Sequence, residues 1–228
     1  MNFRKKINIA ALFIATSLLS TALYAEDRQS QYWSSIKLSS AFGEKTTLLG
    51  ELLNRYSDES DKFTTRSVRL GLKYKFESSM YYAFIVENRT GSSDNSDENR
   101  YINEFGYAQN LEKLKIGYRG RLEWREFSNT SAFLNRLRLR VKLDGTGYQF
   151  GSMTPFALVE HFQFLNDVLG RPEGSTELRI QAGVSFKAMG GKVSISYLDR
   201  TTKTPAFESS PSSESKYGIV DIGLSWKH

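Results

Sequence analysis

The nine residues Asn135–Leu143, NRLRLRVKL, decide how the rest of the chain is read. Arg136, Arg138, Arg140 and Lys142 alternate with Leu137, Leu139, Val141 and Leu143. Alternation at period two signals a strand, because successive side chains of a strand point to opposite faces. The ribbon therefore has one apolar face and one face carrying four cations. Hydrocarbon on the first side and water on the second would satisfy both. A cation turned toward lipid costs about 2–4 kcal/mol at mid-bilayer, so the four cations are expected to face a water-containing interior.

The same division recurs along the chain. In Arg66–Phe76, Val68, Leu70, Leu72, Tyr74 and Phe76 oppose Arg69, Gly71, Lys73 and Lys75. In Leu114–Phe127, Leu114, Ile116, Tyr118, Leu122 and Trp124 oppose Lys115, Arg119, Arg121, Glu123 and Arg125. Glu177–Lys187 sets Leu178, Ile180, Ala182, Val184 and Phe186 against Glu177, Arg179, Gln181 and Ser185, and Tyr217–His228 sets Val220, Ile222, Leu224 and Trp226 against Asp221, Ser225 and Lys227. Six weaker candidates fill the intervals: Gln31–Ala41, Thr46–Tyr56, Met80–Arg89, Tyr101–Asn110, Pro155–Leu165 and Gly191–Arg200. The connections alternate between short (ESS, LEK, AMGG) and long and polar (SDESDK, TGSSDNSDEN, NDVLGRPEG, TTKTPAFESSPSSES), as in outer-membrane barrels with short turns on one side and long loops on the other.

These features predict an all-β fold, an antiparallel transmembrane β-barrel of 10 to 12 strands. The competing architecture is a soluble β-sandwich, whose polar face meets bulk water. Candidate strands of roughly 10 to 13 residues suit a tilted span of about 9–11 residues better than the usual strand of about 5–6. Single-chain bacterial barrels have even strand counts. That predicts ten strands beginning at Thr46, with Gln31–Ala41 tucked inside or along a rim, or twelve with one strand unrecognised.

Residues 1–25 form a unit of their own. Arg4, Lys5 and Lys6 precede an apolar run from Ile7 to Leu19, and TALYA supplies small residues before Glu26. This is the pattern of a secretory signal peptide cleaved after Ala25. The expected organisation is thus a leader at 1–25, an N-terminal segment at 26–45 and a barrel at 46–228, placed in the bacterial outer membrane. Removing three cations and no acids takes the formal charge from +6 to +3, which with export removes the case for a nucleic-acid partner. The chain has no cysteine, so neither disulfides nor an acylated lipoprotein cysteine are available.

Site chemistry is sparse. With His161 and His228 the only histidines, no multi-histidine metal site is expected, and neither a catalytic residue nor a cofactor is assigned. His161 is read as a wall residue and Glu160 as a partner for an inward arginine, although Phe156, Leu158, Phe162 and Phe164 share the parity of Glu160 and leave the face of each open. Ala188–Lys192 reads as a hairpin turn, and the acidic Ser93–Asn99 as a solvated loop without calcium-ligand spacing. The one constellation with a functional reading is the inward cation cluster: Arg69, Lys73, Lys115, Arg119, Arg121, Arg125, Arg136, Arg138, Arg140, Lys142 and Arg179. The acids expected to face it are few, chiefly Glu123, Glu177 and Asp221.

Tyr32–Phe42 (YWSSIKLSSAF), Gly50–Tyr56 (GELLNRY), the NRLRLRVKL ribbon followed by Ala157–Phe164 (ALVEHFQF), and a closing strand after Leu178–Phe186 together resemble an uncharacterised family of bacterial outer-membrane β-barrels, catalogued as a domain of unknown function. The barrel pattern and cationic strands also resemble the small oligogalacturonate-specific porins, whose inward Arg and Lys suit acidic sugars. The last strand resembles the signal by which such barrels engage the barrel-assembly machinery, with His228 where Phe is usual.

Three functional readings follow. The first is a narrow channel favouring small acidic solutes, since rings of Arg or Lys select anions. The second is a closed barrel whose ion-paired lumen supports envelope integrity, and the third is a lipid-modifying enzyme using His161. Outer-membrane lipid and anionic solutes are the partners these readings imply.

Overall fold

The computed structural model describes residues 29–57, 62–91, 97–129, 132–167, 172–206 and 211–227. The leader, the start of the acidic loop at 93–96 and His228 lie outside them. The described chain is all β: β1 (Gln29–Ala41), β2 (Thr46–Ser57), β3 (Lys62–Lys75), β4 (Met80–Gly91), β5 (Glu98–Asn110), β6 (Lys115–Phe127), β7 (Phe133–Asp144), β8 (Thr154–Phe164), β9 (Thr176–Ala188), β10 (Gly191–Thr204) and β11 (Ser213–Lys227). Each strand pairs with its sequence neighbours, and β1 pairs with β11, closing the barrel.

Closure corrects the even-count expectation. Among the described residues there are eleven strands, and Gln31–Ala41, read as lying inside or along a rim, is part of the wall. Ten neighbouring pairs are antiparallel, so an odd ring closes only if the last pair is parallel. Here Gln29–Ser39 runs parallel to Tyr217–Lys227, Trp33 opposite Asp221. The parallel seam removes the free edges that β1 and β11 would otherwise present.

The connections after β1, β3, β5, β7 and β9 gather at one end and those after even-numbered strands at the other. The tightest is Met189–Gly190, where both residues adopt positive φ (54° and 71°). This geometry matches the twist of the flanking strands in a two-residue hairpin.

The outer face is apolar. Leu70 is 67% exposed, Phe105 59%, Leu38 54%, and Leu139 and Ile180 52% each. Aromatic rings border this belt. Toward the short-turn end Tyr82 meets Phe105 at 5.0 Å and Tyr107 stacks on Tyr118 at 6.0 Å between centroids. Toward the opposite end Tyr32 is registered with Tyr56, and Tyr101 with Trp124.

The interior is partly filled by apolar side chains. Ala83, Ile85 and Ile102 form one buried cluster against Leu49 and Tyr81, and Trp33, Leu198 and Ile219 form a second. Tyr81 lies directly over Gly106, its registered partner on β5, and a Cβ there would sit 2.0 Å from the ring. Gly106→Ala is therefore expected to cost about 1–3 kcal/mol through overpacking. Gly50→Ala, whose added Cβ would find its nearest neighbour at 4.0 Å, serves as control. Urea titration of the folded barrel checks this, and equal midpoints for the two variants would overturn it.

Candidate functional site

Period-two alternation places every residue of the predicted cation cluster on the inner face of the wall. Arg119, Arg121 and Arg125 come from β6, Arg136, Arg138, Arg140 and Lys142 from β7, Arg69 and Lys73 from β3, Lys115 from the start of β6 and Arg179 from β9. Arg121, Arg125, Arg136, Arg138 and Arg179 are buried, whereas Lys115 is exposed at the short-turn mouth. The inner face also carries Arg55, Arg89, Arg100 and Arg200, and the acids Glu51, Glu87, Glu98 and Glu104, which the sequence reading did not assign. The expectation of few facing acids is thereby corrected. Strand β4 conceals its inner polar residues because Ala83 and Ile85 share their face while Phe84 and Val86 occupy the other. Apolar residues on both faces erase the alternation. On β8 the inner face holds Glu160 among Phe156, Phe162 and Phe164, and His161 points outward, registered between Leu139 and Leu178.

Carboxylates join these cations into two chains. In the first, Glu51 accepts from Arg69 at 2.8 Å and lies 3.4 Å from Lys37, and Arg69 also donates to Glu87 at 2.8 Å. Glu87 is 3.6 Å from Arg100, which donates to Glu98 at 2.7 Å, and Glu98 also accepts from Arg125. In the second, Glu123 accepts from Arg136 at 2.5 Å and from Arg138 at 2.6 Å. Arg138 reaches Glu160 at 3.0 Å, Glu160 accepts from Arg119 at 2.5 Å, and Glu104 accepts from Arg121 and from the Tyr81 hydroxyl, the latter at 2.7 Å. Phe162 lies beneath three guanidiniums, at 4.3 Å from Arg179, 4.5 Å from Arg138 and 5.0 Å from Arg136. Ring faces attract cations in this way.

The pairing is uneven. In four registered positions two arginines stand directly opposite on adjacent strands: Arg100 with Arg125, Arg121 with Arg138, Arg119 with Arg140, and Arg179 with Arg200. Like charges so placed repel. Carboxylates clamp both members of the first two couples. In the last two they reach Arg119 and Arg179, whereas Arg140 and Arg200 make no hydrogen bond or ion pair with a carboxylate among the described residues, and each has a buried Nε without a partner.

The ion-paired side chains crowd the β3–β9 side. Opposite them the inner wall is built of small residues, including Ser35, Ser39, Ser194, Ser196, Gly223 and Ser225. A cavity of about 1000 Å³ remains between the two sides. Its lining runs from Thr204 and Ser213 near the long-loop end to Ser225 near the short-turn end, and holds thirteen Arg or Lys residues against five Asp or Glu.

Residues 30–210 match the model of the family described as protein of unknown function, DUF2490. The chain belongs to this family. No curated protein matches the sequence. Among solved structures, this DUF2490 barrel is similar to the NanC porin, at 14% identity over 87% of this chain and 97% of that one, with a TM-score of 0.48. It is also similar to the outer-membrane expressed OmpT of Vibrio cholerae, at 10% identity over 76% of this chain and 61% of that one, with a TM-score of 0.43.

Proposed function

We propose that this DUF2490 protein is an outer-membrane barrel that passes small anionic solutes along the cavity beside its ion-paired wall. The observation carrying this reading is the cavity lining, in which thirteen cations face five acids along the length of the barrel. A low-dielectric wall concentrates such a field, and inward guanidiniums select anions. The apolar belt bordered by aromatic rings supports the membrane setting, because each apolar side chain on the outer face would otherwise be in water. His161 on the outer face, between two leucines, offers the enzymatic reading no support. The buried ion-pair chains favour a second role, holding the wall in shape, which is compatible with passage because they are concentrated on β2–β9 and leave the cavity beside them.

Planar-bilayer recording of the purified protein under a potassium chloride gradient tests the proposal. The expected reversal potential has the sign of chloride selectivity. Arg140→Glu, which inverts a charge lacking a carboxylate partner, is expected to lower the chloride-to-potassium permeability ratio severalfold, by rough analogy with charged rings in other pores. Cation selectivity in the parent protein, or no conductance, would sink the reading.

A further inference from the structure

Three buried polar groups without partners line the long-loop half of the cavity. Arg55 on β2 and Arg200 on β10 each have an unpaired buried Nε, and Thr65, registered opposite Arg55 on β3, is 3% exposed with an unpaired hydroxyl. All three line the same cavity. Buried donors in folded proteins are nearly always satisfied, so a cluster of orphans marks the place of an unseen acceptor.

The charge balance points the same way. The positive charges of Arg89, Arg179, Arg100 and Arg200 act unfavourably on Arg55. The nearest inner-face acid across the seam, Asp221, accepts from Gln181 at 3.0 Å and forms no ion pair with Arg55. Arg200 stands directly opposite Arg179, whose own carboxylate partner is Glu177. An anion at this point would relieve the repulsion on Arg55 and Arg200, neither of which forms an ion pair with a carboxylate among the described residues.

Geometry narrows the class of anion. The Arg55 guanidinium lies over Trp33 at 4.0 Å and that of Arg200 over Tyr217 at 3.7 Å. Stacking holds the plane of each guanidinium and leaves its N–H edge available for two parallel hydrogen bonds. One such edge uses both oxygens of a carboxylate. Two edges and a threonine hydroxyl call for more acceptor oxygens, as a tetrahedral oxyanion provides. Resting on the proposed anion passage, we infer that Arg55, Arg200 and Thr65 form a binding site for a phosphate group, free or carried as a phosphomonoester, through which permeating solutes are selected.

Chloride current through the full-length barrel in a planar bilayer, with inorganic phosphate, methyl phosphate or acetate added at fixed ionic strength, tests this. Calorimetric titration of the detergent-solubilised barrel with the same three anions tests it without requiring conduction. Phosphate is expected to bind saturably and to reduce the chloride current, with acetate needing about tenfold more. Losing a charge-assisted hydrogen bond in Arg55→Gln or Arg200→Gln is expected to raise the half-blocking phosphate concentration by about tenfold to a hundredfold, with Arg140→Gln far less affected. Arg55→Lys retains charge without the planar fork and should not restore binding. Full restoration would overturn the site as drawn, leaving only a general positive field. Methyl phosphate binding as well as phosphate identifies a monoester solute, and its exclusion identifies the free ion. Chloride current without saturable phosphate binding overturns the site and leaves the passage standing. Saturable binding without chloride current does the reverse.

Discussion

Replacing Glu123 by glutamine is expected to destabilise the barrel by about 3–5 kcal/mol, the range for removing one partner of a buried ion pair. Glu123 is fully buried on β6, and it accepts from both Arg136 and Arg138 on β7. Glutamine conserves shape and one acceptor oxygen but leaves the buried Arg136 without a counter-charge and Arg138 with Glu160 alone. The loss should exceed that of Lys142→Ala, whose ion pair with Asp144 at 2.6 Å is part-exposed at the barrel end, where about 1 kcal/mol or less is typical. Urea unfolding in lipid vesicles, followed by tryptophan fluorescence, gives both numbers. Equal losses would mean that the inner carboxylates are solvated and do not form the network described.

Leu70→Arg is expected to be nearly as damaging for a different reason. Leu70 is 67% exposed at the middle of β3, with Gly50 and Val86 as its registered neighbours on the outer face. In a membrane the introduced cation costs about 2–4 kcal/mol at the midplane. In water it would cost almost nothing, as most exposed substitutions do. Folding yield in lipid vesicles against folding in detergent micelles separates the two settings. The variant should insert poorly in the former, and wild-type insertion in vesicles would end the membrane assignment.

Which parts of this architecture were legible in the chain follows from the reach of each physical rule. The cationic row of NRLRLRVKL and the division of Arg66–Phe76 and Leu114–Phe127 into two faces were readable, because side-chain alternation is a property of neighbouring residues. All eleven candidate segments are strands, and the turn at Met189–Gly190 was marked by its own composition. The ring count was misread because evenness is a rule about how barrels are usually closed, and it assumes antiparallel pairing throughout. Nothing in Gln31–Ala41 records that its partner is a strand nearly two hundred residues away running the same direction.

The inner charges divide along the same line. That Arg136, Arg138 and Arg140 share a face follows from their spacing in β7. That the first two are neutralised by Glu123 and Glu160 while the third is left without a carboxylate depends on the stagger of β6, β7 and β8 around the ring. Register is set by the joint burial of many side chains at once, so pairing between strands is a global quantity that no local pattern carries. Face and sign are thus written residue by residue, whereas the partner of each charge, and the empty space left where partners are missing, exist only once the cylinder has closed.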